Sequence, residues 1–333
     1  MNFGLRFLQK DCSKNIKEYS LSSFGIMSYL WRLFLSVVIA FPLNFLTLPA
    51  HSAPVLITPI TAGDLLKLGV DKMRRGNYQE AIENFNQAID VEKDFAVAYS
   101  DRCLAYLQLQ DYHQAVTDCT QAINFAPDNF EAYLNRGVAH YRQGDYPGAI
   151  VDLNRAVALK PSDFRAYYNR GLARAGDGKD SEAILDFNLA LTQIPRISNL
   201  ILADIYNDRG LAHFALQDTQ AAMLDFNLAI HLNANDYRAY FNRACACGRN
   251  GDNFGAVRDF SQVIRLNPSN AQAYVNRGVA NYRLGYHLGA LSDLQKASKY
   301  FENQGKKVAY EKTLDLLKSL RQQISSVTEI ALF

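Results

Sequence analysis

The sequence lacks the short motifs by which catalytic and metal sites are usually recognised. Its six histidines form no HxxxH or HExxH pair, and GxxxxGK, GxSxG and a glycine-rich loop after a strand are all absent. Cys245 and Cys247 are two residues apart on a predicted helix, so their side chains point about 200° apart and cannot share a metal. We therefore expect a protein that is not an enzyme and that binds no cofactor or metal.

The sequence also lacks an apolar run of full membrane-spanning length near its N-terminus. Leu33–Leu48 is sixteen residues without charge and contains Pro42, whereas a spanning helix needs about 20 apolar residues. Arg32 precedes this run and small residues follow it. A basic flank, a short apolar run and small residues predict a secretory signal peptide at 1–52, cleaved after Ser52.

Two alternatives for this segment stay open. A start at Met27 would give a signal of ordinary length. The other alternative is that 33–48 is kept as an uncleaved membrane anchor. In both cases the positive flank stays inside and the rest of the chain is exported. We therefore expect the protein in the periplasm or an equivalent extracytoplasmic space.

An excess of charge of one sign is missing as well. The whole chain has 35 basic and 33 acidic residues. The segment 1–52 holds five basic and two acidic residues, so the remainder holds 30 and 31. A nearly neutral chain has no electrostatic footprint for nucleic acid, and we expect no nucleic-acid partner.

What the sequence does contain is one pattern copied seven times, with a period of 34 residues. Ala132–Pro161, for example, returns as Ala166–Pro195 and as Ala273–Ser298. Within each copy, position 8 is small and position 20 is alanine. Because only small side chains let two helix backbones approach closely, these positions predict where the two helices of a hairpin cross. The repeats are 62–95, 96–129, 130–163, 164–197, 203–236, 237–270 and 271–304.

This pattern resembles the tetratricopeptide repeat (TPR) family, which has large, small, alanine, aromatic and proline positions at fixed offsets. The resemblance implies an all-α fold, a right-handed α-solenoid of seven helical hairpins. Such arrays need a cover at their end. We assign 53–61 to a linker and 305–333 to a capping helix and tail. Its apolar side is predicted from the helical spacing of Val308, Leu314, Leu317, Leu320 and Ile324.

The candidate binding surface follows from helix geometry. At about 100° per residue, positions 4, 8 and 11 of the first helix share its buried side, and positions 2, 6 and 13 project away. In TPR proteins the first helices line a concave groove that holds peptides. The resemblance therefore implies a peptide-binding groove with an amide row at position 6, arginines at position 13 and aromatic walls at position 5. The candidate residues are Asn135, Asn169, Asp208, Asn242, Asn276, Arg142, Arg249, Arg283, Tyr168 and Phe241.

The alternative for the amide row is a merely solvated helix face. The family's clamp for chaperone tails needs Lys and Asn at positions 5 and 9, and position 9 is apolar or Cys in every copy, so that clamp is absent. Position 7 is arginine in six copies and position 23 is aspartate in six, which predicts a structural ladder of ion pairs between the helices. The paired positions begin with Arg102 and Asp118 and end with Arg277 and Asp293.

Two local features leave alternatives open. Cys103 and Cys119 lie on the inward side of one hairpin, either as a disulfide or as two small buried residues. The five extra residues 198–202 predict an additional turn before the fifth repeat. That turn either exposes Leu200 and Ile201 as an apolar knob or docks on the preceding helix.

The resemblance and the N-terminal pattern together imply a non-catalytic scaffold or assembly factor that binds a protein or peptide in its groove after export. The alternative is a membrane-anchored assembly factor that presents a membrane complex to its partners. An enzyme built on a solenoid is a third possibility that no residue pattern supports. The sequence does not identify the partner or the oligomeric state.

Overall fold

The computed structural model describes residues 60–194 and 199–330, with side chains described as far as 324. Within these stretches every regular element is an α-helix, so the fold is all-α and of the α-solenoid type. The expected signal segment lies outside the described residues. The fifteen helices are α1 (Ala62–Arg74), α2 (Tyr78–Val91), α3 (Ala96–Gln108), α4 (Tyr112–Phe125), α5 (Phe130–Gln143), α6 (Tyr146–Leu159), α7 (Phe164–Gly176), α8 (Asp180–Gln193), α9 (Asn199–Ala215), α10 (Thr219–Leu232), α11 (Tyr237–Arg249), α12 (Asn253–Leu266), α13 (Ala271–Arg283), α14 (His287–Asn303) and α15 (Lys307–Ile330).

The chain divides between Asp177 and Gly178 into two compact units, which are described separately. The first unit holds α1 to α7 and the second holds α8 to α15. In each unit consecutive helices pack on one another, and the first helices of adjacent repeats also touch. None of the helices in the described part of the chain is both long and apolar enough to cross a membrane.

Glycine ends the first helix in most hairpins. Gly144, for example, follows α5 with φ of 82°, the left-handed conformation that closes a helix without cost only for glycine. Two repeats adopt the same conformation without glycine. Gln110 and Gln217 have φ of 64° and 67°. The turn geometry is therefore set by the hairpin, and these two glutamines tolerate it with some strain.

The predicted helix crossing at position 8 is confirmed. A Cβ added to Gly137 would lie 2.7 Å from Cγ of Leu153, and one added to Gly210 would lie 2.7 Å from the ring of Phe226. The large residue at position 24 therefore fills the space that glycine leaves. In the second repeat Cys103 and Cys119 occupy these same two positions. They form a disulfide, with their Cα atoms 5.4 Å apart.

The predicted ladder of arginine–aspartate pairs is also confirmed. Arg136 donates from Nε and Nη2 to the two oxygens of Asp152 at 2.9 and 2.7 Å. Its Nη1 donates to Thr120 of the preceding repeat at 3.0 Å. Each arginine thus joins the two helices of its own hairpin to the second helix before them. The same pairs are Arg102–Asp118, Arg209–Asp225, Arg243–Asp259 and Arg277–Asp293.

The extra residues before the fifth repeat lengthen its first helix. α9 has 17 residues, whereas the first helices on either side, α7 and α11, have 13. The contact from Arg209 back to Asn188 survives at 2.6 Å, although the two residues are 21 apart instead of 16. Of the two alternatives for these residues, the exposed apolar knob is wrong for Ile201, because its side chain is only 2% exposed. An added helical turn can bury such a residue against its neighbours without disturbing the ladder.

The last helix covers the end of the second unit. Leu317 and Leu320 are buried in a cluster with Tyr274 and Phe301, and α15 packs on α14. The predicted apolar side of this helix is narrower than expected. Val308 and Leu314 are exposed, so within the described residues they lie outside the buried stripe.

Candidate functional site

The amide row at position 6 is enclosed rather than presented on an open groove. Asn242 and Asn276 are 1% and 2% exposed, Asn135 and Asp208 are also buried, and Asn169 is half-buried. The prediction that the side chains at position 6 project away from the buried side of the helix is therefore wrong. The prediction came from a helical wheel, which shows one helix by itself. In the array of repeats, the first helix of the adjacent repeat covers position 6.

The enclosed amides make contacts inside the array. Asn242 donates from Nδ2 to Oδ1 of Asn207 in the preceding repeat at 2.8 Å. Asn169 donates to the carbonyl oxygen of Arg165 at 2.8 Å. Gln272 donates to Oδ1 of Asn276 at 2.9 Å. These bonds satisfy polar groups that would otherwise be costly to bury, which is a structural role.

The predicted aromatic walls are buried as well. Tyr168 and Phe241 lie in the core of their units. The ring of Phe241 meets that of Phe260 edge-on, with centroids 5.5 Å apart. Position 5 therefore supplies core packing, and neither ring is available to a ligand in this structure.

Charged pairs at position 2 form a feature that the sequence reasoning missed. Arg165 binds Glu131 of the preceding repeat at 2.8 and 3.1 Å and also binds Asp163. In the second unit Arg238 binds Asp204 and Asp236 in the same way. The signal was present as opposite charges 34 residues apart.

Burial and neighbouring charges shift the pKa values of several groups in and near these pairs. Burial raises the pKa of Asp204, and the charge of Arg238 partly opposes that effect. Burial alone would lower the pKa of Arg165, but its hydrogen bonds to Asp163 and Glu131 leave the pKa above its ordinary value. In the second repeat, burial and then the charge of Glu131 raise the pKa of Asp101 to about 7.

The predicted arginines of position 13 lie at the ends of the first helices and remain partly exposed. The guanidinium of Arg249 lies 3.4 Å from the ring centroid of Phe214, and its Nη1 donates to the Phe214 carbonyl at 2.8 Å. Arg283 makes the equivalent, longer contact to the carbonyl of Gly248 at 3.5 Å. Arg142 lies over the ring of Tyr141.

Arg249 and Arg283 carry charge that no carboxylate within residues 60–194 and 199–324 neutralises. Burial lowers the pKa of both groups, which is the sign of a cation held without a counter-ion. Each keeps N–H donors beyond the one that binds the carbonyl. The arrangement can therefore accept a carboxylate from outside the chain.

A second accessible feature is a leucine face on the second helices of repeats four and five. Leu185 and Leu189 of α8 are exposed, as are Leu224 and Leu228 of α10, and the first member of each pair is 62% and 60% exposed. Arg209 brings the two helices together, because it binds both Asn188 and Asp225. Other repeats mostly have polar residues at these two positions, so an alignment of the repeats could have found this face.

No group of His, Cys, Asp or Glu in the described part of the chain is arranged to hold a metal ion. Cys247 is a buried thiol, and burial raises its pKa to about 11. A thiol with so high a pKa is a poor nucleophile at neutral pH.

Paired helices in repeats of 34 residues define a protein of the α-solenoid class. Family profiles agree with this assignment. The description "TPR repeat" matches residues 104–144, 140–178 and 246–285, and "Tetratricopeptide repeat" matches residues 66–116 and 203–236. Together these matches cover more than half of the chain, and the chain belongs to the tetratricopeptide repeat family. No curated protein sequence matches it significantly.

Several solved structures have folds similar to that of this chain. A tetratricopeptide repeat protein from Parabacteroides merdae superposes with a TM-score of 0.59 at 19% identity, covering 76% of this chain and 98% of the other. PilF of Pseudomonas aeruginosa gives 0.54 at 16% identity, covering 66% and 96%. A chain of the APC/C hetero-tetramer Cut9–Hcn1 gives 0.60 at 20% identity. The match covers 67% of this chain but only 43% of that longer one. At these identities the similarity concerns the fold alone.

Proposed function

We propose that this chain is an exported, non-catalytic scaffold that binds a carboxylate-bearing segment of a protein partner along its first helices. The observation that carries the proposal is the pair Arg249 and Arg283. Both are fixed by a main-chain carbonyl, both lie on adjacent first helices of one unit, and neither has a carboxylate partner in the described chain. A partner carboxylate would supply the missing counter-ion.

The scaffold function of the family supports the same conclusion at a coarser level. Tetratricopeptide repeat proteins generally act as non-catalytic interaction scaffolds, and the fold of this chain is theirs. The leucine face adds a second surface of the kind that marks protein contacts, since soluble monomers rarely keep adjacent leucines exposed.

Export is supported by the disulfide between Cys103 and Cys119. Disulfides persist in oxidising compartments and are rare where thiol reductants are maintained. Mass spectrometry of the protein from its native host is expected to find a chain that begins at Ala53. Full-length protein in the soluble cytosolic fraction would contradict export, and a membrane-bound chain that retains 33–48 would support the anchored alternative.

The binding proposal is tested by affinity capture with the tagged chain, followed by mass spectrometry of the captured proteins. The variant Arg249→Gln with Arg283→Gln is expected to lose the specific partners, because both carboxylate-binding groups become neutral. The matched control is Arg258→Gln with Arg265→Gln, two exposed arginines of α12 that remove the same charge elsewhere in the unit. An identical set of captured proteins for the wild type and both variants would refute the role of Arg249 and Arg283.

A further inference from the structure

A cleft lies between α13 and the beginning of α15, at the end of the second unit. Its volume is about 480 Å³, which is within the range of pockets that hold small ligands or side chains. Val275 and Phe301 are buried at its base, and Val308 stands exposed at its edge. The floor is therefore apolar and can accommodate one apolar side chain with part of its main chain.

The rim of this cleft carries positive charge. Lys306, Lys307 and Lys312 line it, and no Asp or Glu is among the lining residues. Lys306 and Lys307 are exposed and form no ion pair with any residue whose side chain the structure describes. The first turn of α15 also contains no acidic residue, whereas the first turn of α1 has Asp64. The cleft thus combines an apolar base with two cations, Lys306 and Lys307, that form no ion pair with the described side chains.

We propose that this cleft binds an acidic peptide segment in which one apolar side chain is flanked by Asp or Glu. The apolar side chain would occupy the base against Val275 and Phe301, and the flanking carboxylates would meet the lysines of the rim. This inference rests on the proposed function for the nature of the partner, a protein with carboxylates. It adds a specific site and a sequence pattern, with lining residues that do not include Arg249 or Arg283.

A peptide explains the cleft better than a nucleic acid does. A phosphate backbone needs an extended positive track, whereas the chain after residue 52 is nearly neutral and the cations here border a single apolar base. Binding is expected to weaken with added salt, because the rim contacts are exposed to solvent.

The test is a fluorescence polarisation titration of the purified chain. The probe is a fluorescein-labelled, C-terminally amidated peptide, Gly-Glu-Glu-Leu-Glu-Glu-Gly, so that only side-chain carboxylates are offered. Wild-type protein is expected to bind it, and replacing its Leu by Ser is expected to weaken binding about fivefold through loss of apolar burial. Reversing the rim with Lys306→Glu and Lys307→Glu is expected to weaken binding tenfold or more, which corresponds to at least about 1.4 kcal/mol.

The matched control is Lys299→Glu with Lys318→Glu, two exposed lysines outside the cleft that give the same change in net charge. It is expected to retain affinity within about twofold. Circular dichroism melts check that all variants fold, and because the four lysines are exposed no loss of structure is expected. Equal weakening by the control pair would overturn the inference, as would the absence of peptide binding at about 1 mM.

An oligothymidylate probe distinguishes the other class of partner. If it binds and is lost on reversing Lys306 and Lys307 while the peptide does not bind, the cleft is not a peptide site. The proposed function is judged separately by Arg249→Gln with Arg283→Gln in the capture experiment. One combined result would support the proposed function and contradict the peptide site in the cleft. In that result, capture of the partners depends on Arg249 and Arg283, but peptide binding is unchanged by Lys306→Glu with Lys307→Glu.

Discussion

The second and third repeats of the first unit have the same backbone plan but differ at the helix crossing, at position 6 and at the turn. At the helix crossing the second has the Cys103–Cys119 disulfide, where the third has Gly137 packed against Leu153. At position 6 the second has Asp101, where the third has Asn135. At the turn it has Gln110, where the third has Gly144. The comparison shows which requirements belong to the hairpin and which belong to the individual repeat.

The crossing requires a close approach of the two helix backbones, and different pairs of side chains can allow it. Gly137 leaves room that Leu153 fills, and a side chain at 137 would collide with it. Two cysteines solve the same problem with two small side chains joined covalently. The second repeat therefore depends on a bond that reductants can break, whereas the third depends on packing alone.

Removing the disulfide is expected to have the largest effect. Cys103→Ala with Cys119→Ala should lower the free energy of unfolding by about 3 kcal/mol, because the bond closes a loop of about 15 residues in the unfolded chain. Urea denaturation followed by circular dichroism measures the change. A reductant should lower the stability of the wild type more than that of this variant.

The swap Cys103→Gly with Cys119→Leu gives the second repeat the packing of the third, and it serves as the comparison variant. It should recover about 1–2 kcal/mol of that loss, since leucine refills the space at the crossing. If it is no more stable than the double alanine variant, packing at position 24 does not substitute for the bond.

The next effect concerns pH and Asp101. Its pKa is raised from 3.8 to about 7 by burial and by Glu131, so the folded state binds the proton more tightly than the unfolded state does. Its contribution to stability is therefore complete below about pH 4 and is lost as the pH rises through 7. Asp101→Asn, which copies the third repeat, should raise stability at pH 8 by about 2 kcal/mol, a value reduced for partial exposure of the site.

Chemical denaturation at pH 5 and pH 8 measures this effect. The difference between wild type and Asp101→Asn should be smaller at pH 5 than at pH 8. An unchanged difference would mean that Asp101 does not titrate in this interval in the folded protein.

A Cβ at the crossing of the third repeat is expected to cost somewhat less. Gly137→Ala places its methyl group 2.7 Å from Cγ of Leu153 and should destabilise the protein by about 1.5 kcal/mol through overpacking. Gly63→Ala is the matched control, because the nearest atom there is 3.7 Å away. That change should be neutral or stabilising in thermal unfolding, as alanine favours helix. Equal destabilisation by both would remove the crossing as the cause.

The smallest effect is expected at the turn. Gln110 adopts φ of 64°, so Gln110→Gly should stabilise the protein by about 0.5–1 kcal/mol. The reciprocal change Gly144→Gln should destabilise it by a similar amount. Thermal melts of the two variants measure both shifts. Shifts in the same direction would show that side-chain contacts, and not the turn conformation, decide the outcome.

The repeats, the helix crossings and the arginine ladder could be predicted because they recur with the period of the chain. Six of the seven copies have arginine at position 7 and aspartate at position 23, so the pairing of Arg136 with Asp152 could be predicted from its counterparts. The position of the amide row was not predictable in this way, because its environment depends on the adjacent repeat. Asn242 contacts Asn207 of the preceding repeat, 35 residues away, and the wheel of a single helix does not contain that contact.

Features confined to one place were missed for the opposite reason. Leu185 and Leu224 occupy a position that is polar in most of the other repeats. The basic cleft could not be predicted without knowing where α15 packs, and α15 lies outside the periodic segment. Periodicity identifies what the repeats share, and a ligand site is found where one of them departs from it.

The arginine ladder has a consequence for how such a chain can change during evolution. Four of these arginines contact an aspartate 16 residues ahead and a polar residue 16 residues behind, as Arg243 does with Asp259 and Asn227. Within a unit, duplication or loss of one 34-residue segment by unequal recombination therefore leaves every remaining guanidinium with both of its ligands. The contact from Arg209 to Asn188 shows that even five inserted residues preserve them. Copy number can thus drift while the electrostatic connections between neighbouring hairpins are inherited intact.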